Sequence, residues 1–108
     1  MLQVTGQTRF FFCTQIVNMG KSFEGLSALV ETLFPHELLS GAYFIFLNRK
    51  KDHVKVLYWD SDGLCIWFKR LEKGAFCWKE ARTKLNRKDF LLLLEGIEPK
   101  RIQSRFSL

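Results

Sequence analysis

The spacing of apolar residues changes several times along this chain, and each change marks an element. Thr8 to Cys13 is a short phenylalanine-rich run centred on Phe10, Phe11 and Phe12, which predicts a buried strand. Asn18 and Gly20 then loosen the chain. From Ser22 onward the apolar positions Phe23, Leu26, Leu29, Val30 and Leu33 follow three-and-four spacing, the pattern of an amphipathic helix. Ser22 suits an N-cap, Glu24 the positive end of the helix dipole, and Pro35 a stop. Gly25 weakens this helix by about 1 kcal/mol relative to alanine and suggests close packing there.

Beyond a linker from His36 to Gly41 the period becomes two. Tyr43 to Leu47 is apolar on both faces and predicts a central strand. Val54 to Trp59, Leu64 to Leu71 and a short Phe76 to Lys79 follow, separated by turns at Asn48–His53, Asp60–Gly63 and Glu72–Ala75. Loops this short imply an antiparallel meander, because parallel neighbours need long crossovers. A second helix is predicted after Asn86, with Asp89 at N3, Phe90, Leu93, Leu94 and Ile97 on one side, and Gly96 and Pro99 ending it. The sum is an α+β domain: strand, helix, four-strand meander, helix, built on a small antiparallel sheet. Its 108 residues fit a single domain, 1–108, with 99–108 as a flexible basic tail carrying Arg101 and Arg105.

The Asp60–Ser61–Asp62–Gly63 turn invites an argument about register. A type I turn closed by a left-handed Gly63 sets Asp60 opposite Leu64. Val54, Val56 and Tyr58 then share a core face with Leu64, Ile66 and Phe68. The other face sets Lys55 against Lys69, Leu57 against Trp67, and Trp59 against Cys65. Two opposed lysines repel by some tenths of a kcal/mol unless an anion bridges them.

Charge gives that second face its interest. Seventeen Lys and Arg against eleven Asp and Glu leave a net +6, an excess that attracts polyanions. Lys55, Lys69, Arg70, Lys73 and the turn Arg49, Lys50 and Lys51 would hold phosphates, while Trp59 and Trp67 would stack or pack on bases and sugars. An alternative stays open, in which the tryptophans pack under a helix and lysine stems cover their edges. Hydrophobic residues at 47% and aromatics at 15% exclude a disordered chain.

Signs of catalysis are absent from the pattern. Cys13, Cys65 and Cys77 lack zinc or redox spacing and read as reduced thiols. Asp60 and Asp62 are two carboxylates two apart, yet an EF-hand loop would need a glutamate where Leu71 stands, and tight turns favour Asp and Gly in any case. His36 and His53 have no triad partners in pattern, and Gly20–Lys21–Ser22 lacks the earlier glycine of a phosphate loop, Gln15 standing there. No catalytic residue, metal site or cofactor is predicted. Without a leader-like start or an apolar run of membrane length, the cytoplasm is the expected compartment and no membrane partner is expected.

Several strings resemble one bacterial family: Met19–Gly20–Lys21–Ser22–Phe23–Glu24–Gly25–Leu26, Phe44–Ile45–Phe46, the run from Val54 to Cys65, Phe68–Lys69–Arg70–Leu71–Glu72–Lys73–Gly74, and Leu93–Leu94–Glu95–Gly96–Ile97. They are similar to the accessory protein encoded by the second open reading frame of insertion sequences of the sixty-six type, often called TnpB. The similarity runs from Thr8 to Glu98, and the string from Val54 to Gly74 is its most specific part. It departs at Gly20, where an arginine is common, and at Lys79, where a proline often follows the tryptophan. The resemblance implies a protein that assists transposition while a separate, larger protein carries the catalytic residues. The basic aromatic face of the hairpin adds the expectation of a non-catalytic module that binds element DNA, the transposase, or both. An adaptor that touches only the transposase is the alternative, and a magnesium-dependent nuclease using Asp60 and Asp62 is a third reading.

Overall fold

The computed structural model describes residues 4–77 and 84–94. Its elements run β1 Phe10–Phe12, α1 Phe23–Leu33, β2 Tyr43–Leu47, β3 His53–Asp60, β4 Gly63–Arg70, β5 Lys84–Leu85 and α2 Arg87–Leu94. The strands form one sheet in the order β4-β3-β2-β1-β5. The α+β class holds, but the sheet is mixed. β1 lies parallel to β2, with Phe11 opposite Phe44, because α1 carries the chain back to the start of the sheet. Every other pairing is antiparallel.

The predicted fourth meander strand, Phe76 to Lys79, is described only in its first half. Phe76 and Cys77 are in no strand, and 78–79 lie outside the described residues. Phe76 instead plugs the sheet as a fully buried side chain, its N–H donating to the Lys51 carbonyl at 2.7 Å. β5 closes the far edge against β1, pairing Leu85 with Phe10. The predicted basic tail also lies outside the described residues.

Two apolar layers sandwich the sheet. One holds Phe10, Tyr43, Ile45, Val54, Val56 and Tyr58 with Phe76, and α2 buries Phe90 and Leu93 into it. The other holds Phe11, Phe44, Phe46 and Leu57 beneath Leu26 and Val30 of α1. Covered on both sides, all five residues of β2 are buried, as the two-faced apolar run required. Asn86 caps α2 by accepting the Asp89 N–H at 2.8 Å. Ser22 sits at the N-cap of α1, but its hydroxyl reaches Glu24 and not a backbone N–H. Gly25 meets only the flexible stem of Lys21.

The hairpin register differs by one residue from the sequence-based pairing. Asp60 pairs with Gly63, leaving the two-residue loop Ser61–Asp62. The left-handed residue is Ser61, at φ 54°, in place of Gly63. Val54, Val56 and Tyr58 therefore share a face with Lys69, Trp67 and Cys65, while Lys55, Leu57 and Trp59 face Phe68, Ile66 and Leu64. Alternation selects a register only when one face is wet. Here both faces of the hairpin carry apolar side chains that pack on a core, so the pattern had little power to discriminate.

Candidate nucleic-acid interface

The loop between β2 and β3 is built by a single asparagine. Asn48 Oδ1 accepts the His53 N–H at 3.0 Å, and its Nδ2 donates to Asp52 Oδ1 at 2.7 Å. Asp52 Oδ1 also lies 2.7 Å from His53 Nδ1. The Asn48 amide first, and the His53 ring second, hold the Asp52 carboxyl below its ordinary value. Lys51 takes a left-handed conformation, φ 59°, and donates its N–H to the Asn48 carbonyl. The loop is thus drawn inward through Asn48 and Asp52, and Arg49, Lys50 and Lys51 stand exposed.

The exit of β4 is stitched to the same loop. Leu71 N–H donates to the Asp52 carbonyl at 2.8 Å, and Phe76 N–H to that of Lys51. The intervening turn, which carries the exposed Lys73, is thereby held beside Arg49–Lys51. Arg49, Lys50, Lys51 and Lys73 form no ion pair among the described residues, whereas Arg70 pairs with Glu72 at 2.9 Å.

A cleft of about 570 Å³ opens beside this loop, lined on one side by Ile16, Val17, Asn18 and Met19 and on the other by Asn48, Arg49, Lys50, Asp52 and His53. It lies where the chain leaves the C-terminal ends of the parallel strands β1 and β2, the position at which open α/β sheets receive ligands. A second depression, of about 470 Å³, is lined by His53, Phe68, Arg70 and Glu72 and shares His53 with the first.

The remaining candidates do not join this site as a lysine–tryptophan face. Lys55 and Lys69 lie on opposite faces of the hairpin, as do Trp59 and Trp67, so the opposed lysine pair does not form. Lys55 Nζ donates to the carbonyls of Met19 and Lys21 at 2.7 and 2.9 Å and sits 5.2 Å from the centroid of the Phe68 ring. It ties β3 to the segment that starts α1. Lys69 Nζ donates to the carbonyl of Leu94 at 2.7 Å, a cation at the negative end of α2. Trp67 is partly buried against the α2-side core, and Trp59 is half-buried beside Leu64.

Asn48, Asp52, Asn18 and Ile16 were missed because none belongs to a motif. The usable signal was Asn and Asp flanking a basic turn, since these residues bond their own backbone. Phe68, assigned to a core face by the one-residue slip, is 52% exposed. Asp60 and Asp62 are exposed on the opposite end of the hairpin from the basic loop, and no group of three metal-binding side chains occurs among the described residues.

Comparison with known proteins gives this geometry a biological setting. The family model described as IS66 Orf2 like protein matches residues 8–104. The chain belongs to that family. Membership places it among the accessory proteins of transposition. Two uncharacterized proteins of Sinorhizobium fredii strain NGR234 are similar to it: y4jC, 28% identical over 90% of this chain and 86% of that protein, and y4hO, 29% identical over 91% and 88%. No solved structure matches. Among the described residues, no helix of this Orf2-like protein is long and apolar enough to cross a membrane.

Proposed function

We propose that this Orf2-like protein serves transposition by binding, without catalysing bond breakage, and that it contacts the phosphates of element DNA through the basic end of its sheet. One observation carries the reading. Arg49, Lys50, Lys51 and Lys73 are exposed, unpaired among the described residues, and gathered by backbone hydrogen bonds beside a cleft of mixed lining. Four cations fixed on one loop cluster suit neighbouring phosphates, and Arg70 extends the patch once it leaves Glu72. Lys55 and Lys69 support the fold in this reading, and Trp59 and Trp67 are packing residues.

Binding to a duplex carrying an element end, followed across salt concentrations, tests it. Four neutralised phosphates at ~0.9 each give a log–log slope of about −3 to −4. The triple variant Arg49→Ala, Lys50→Ala, Lys73→Ala should flatten the slope by about 2 to 3. An unaltered slope overturns the assignment. If DNA binding is absent even at low salt while the chain co-purifies with the transposase, the adaptor reading replaces it.

A further inference from the structure

β4 is the outermost strand of the sheet, and among the described residues nothing pairs with its free edge. The strand is eight residues long, Gly63–Arg70, and lacks proline. An open edge offers a row of unpaired N–H and C=O groups, which natural sheets blunt with short strands, prolines, bulges or outward lysines. At the other edge, β5 has two residues among those described. β4 is not blunted in this way: Leu64 to Phe68 carry no charge, and the one lysine, Lys69, is turned to the end of α2. Leu64 and Ile66 are only partly buried, and Phe68 is 52% exposed. Leu64, Ile66 and Phe68 share one face.

We propose that β4 pairs, antiparallel, with β4 of a second copy of this chain, about a twofold axis at Ile66, so that two sheets become one continuous sheet. Directly opposed residues of an antiparallel pair lie on the same face, which confines a twofold register to axes passing through a residue. With the axis at Ile66, Phe68 covers Leu64 of the second copy and Ile66 meets itself. Arg70, giving up its exposed pair with Glu72 and no longer part of the phosphate patch, then stands opposite Asp62, twice by symmetry, and Cys65 opposite Trp67. Moving the axis to Trp67 sets Asp62 against Glu72 and Leu64 against Arg70. Moving it to Cys65 sets Phe68 against Asp62. Only the Ile66 register matches apolar to apolar and acid to base. The hairpin supplies this polarity, with Asp62 in the loop just before β4 and Arg70 as the last residue of the strand.

Sedimentation or light scattering of the full chain, with cross-linking, tests the pairing without reference to DNA, so its failure leaves the proposed DNA contact standing. The expected species is twice the 12.7 kDa chain, dissociating on dilution. Ile66→Cys should form a disulfide-linked dimer under mild oxidation, since the two introduced thiols face each other across the axis. Leu64→Cys should not, because its opposite residue is Phe68. Arg70→Asp should weaken the dimer by about tenfold, from like charge at two symmetry-related positions, and adding Asp62→Arg should restore it. Circular dichroism establishes that each variant folds. A chain that stays monomeric at every concentration overturns the proposal, as does a dimer in which Ile66→Cys fails to cross-link or the charge swap fails to rescue.

Discussion

Lys55→Met separates a structural lysine from a DNA-binding one. The substitution keeps an unbranched apolar side chain and removes the ammonium group. That group bonds the Met19 carbonyl in a partly buried position and the Lys21 carbonyl in an exposed one, and it rests against the Phe68 ring. The partly buried bond is worth about 1.5 kcal/mol, being charge-assisted, while the exposed one adds about 0.5 because water replaces it. The ring contact contributes about 0.5 kcal/mol at an exposed site. Restored hydration of the two carbonyls offsets part of this, leaving a loss of about 2 kcal/mol. For a domain of this size that lowers Tm by about 8 to 16 °C. Thermal unfolding followed by circular dichroism reads the shift, and the salt slope of DNA binding, measured below the transition, should be unchanged. A Tm within about 2 °C of wild type, with the slope reduced by ~0.9, would refute the reasoning and return Lys55 to the phosphate contacts.

Three further outcomes follow from the same geometry. Lys51→Gly relieves a left-handed lysine, so the variant should gain about 0.5 kcal/mol in denaturant unfolding after the added chain entropy of glycine, while losing ~0.9 of DNA salt slope. Asp52 is bound by Asn48 and His53, and its folded value lies below its ordinary 3.8. Its contribution is therefore complete above 3.8 and disappears as pH falls through the lowered value, so Asp52→Asn should be less stable than wild type at neutral pH, with the gap closing in acid unfolding curves. Phe90 is fully buried and stacked on Phe10 with centroids 4.4 Å apart, so Phe90→Ala should lose about 3 to 5 kcal/mol in a urea titration and detach α2 from the sheet.

The parts of the fold that could be read from the sequence are those in which one physical cause acted alone. Leu26 and Val30 repeat at helical spacing and are the buried residues of α1, and Asn86 caps α2 as its position suggested. β2 was identified as central because no residue from Tyr43 to Leu47 tolerates water. Where two causes competed, the reading failed. Ser61–Asp62–Gly63 fits either a two- or a three-residue loop, and the partly apolar residues on both faces of β4 did not decide between them. That single residue moved Phe68 to a core and paired Lys55 with Lys69. The parallel β1–β2 pair was hidden because Phe10–Phe12 is too short to state its direction. The basic loop was legible as charge, but its anchoring through Asn48 and Asp52 depends on backbone groups that come together only in the folded chain.

The insertion of β1 between β2 and β5 also bears on how the chain folds. β2, β3 and β4 are joined by short turns and can zip as a local unit, while Phe10–Phe12 must find Tyr43 and Leu85 across far longer stretches of chain. Closing those loops has an entropic cost before any contact compensates it, so contacts of high sequence separation come late. Three phenylalanines, each at least nine-tenths buried, then complete both cores in one step. Until that step, Tyr43 and Phe44 sit on an uncovered strand edge, and the nascent chain is most exposed to wrong partners in that interval.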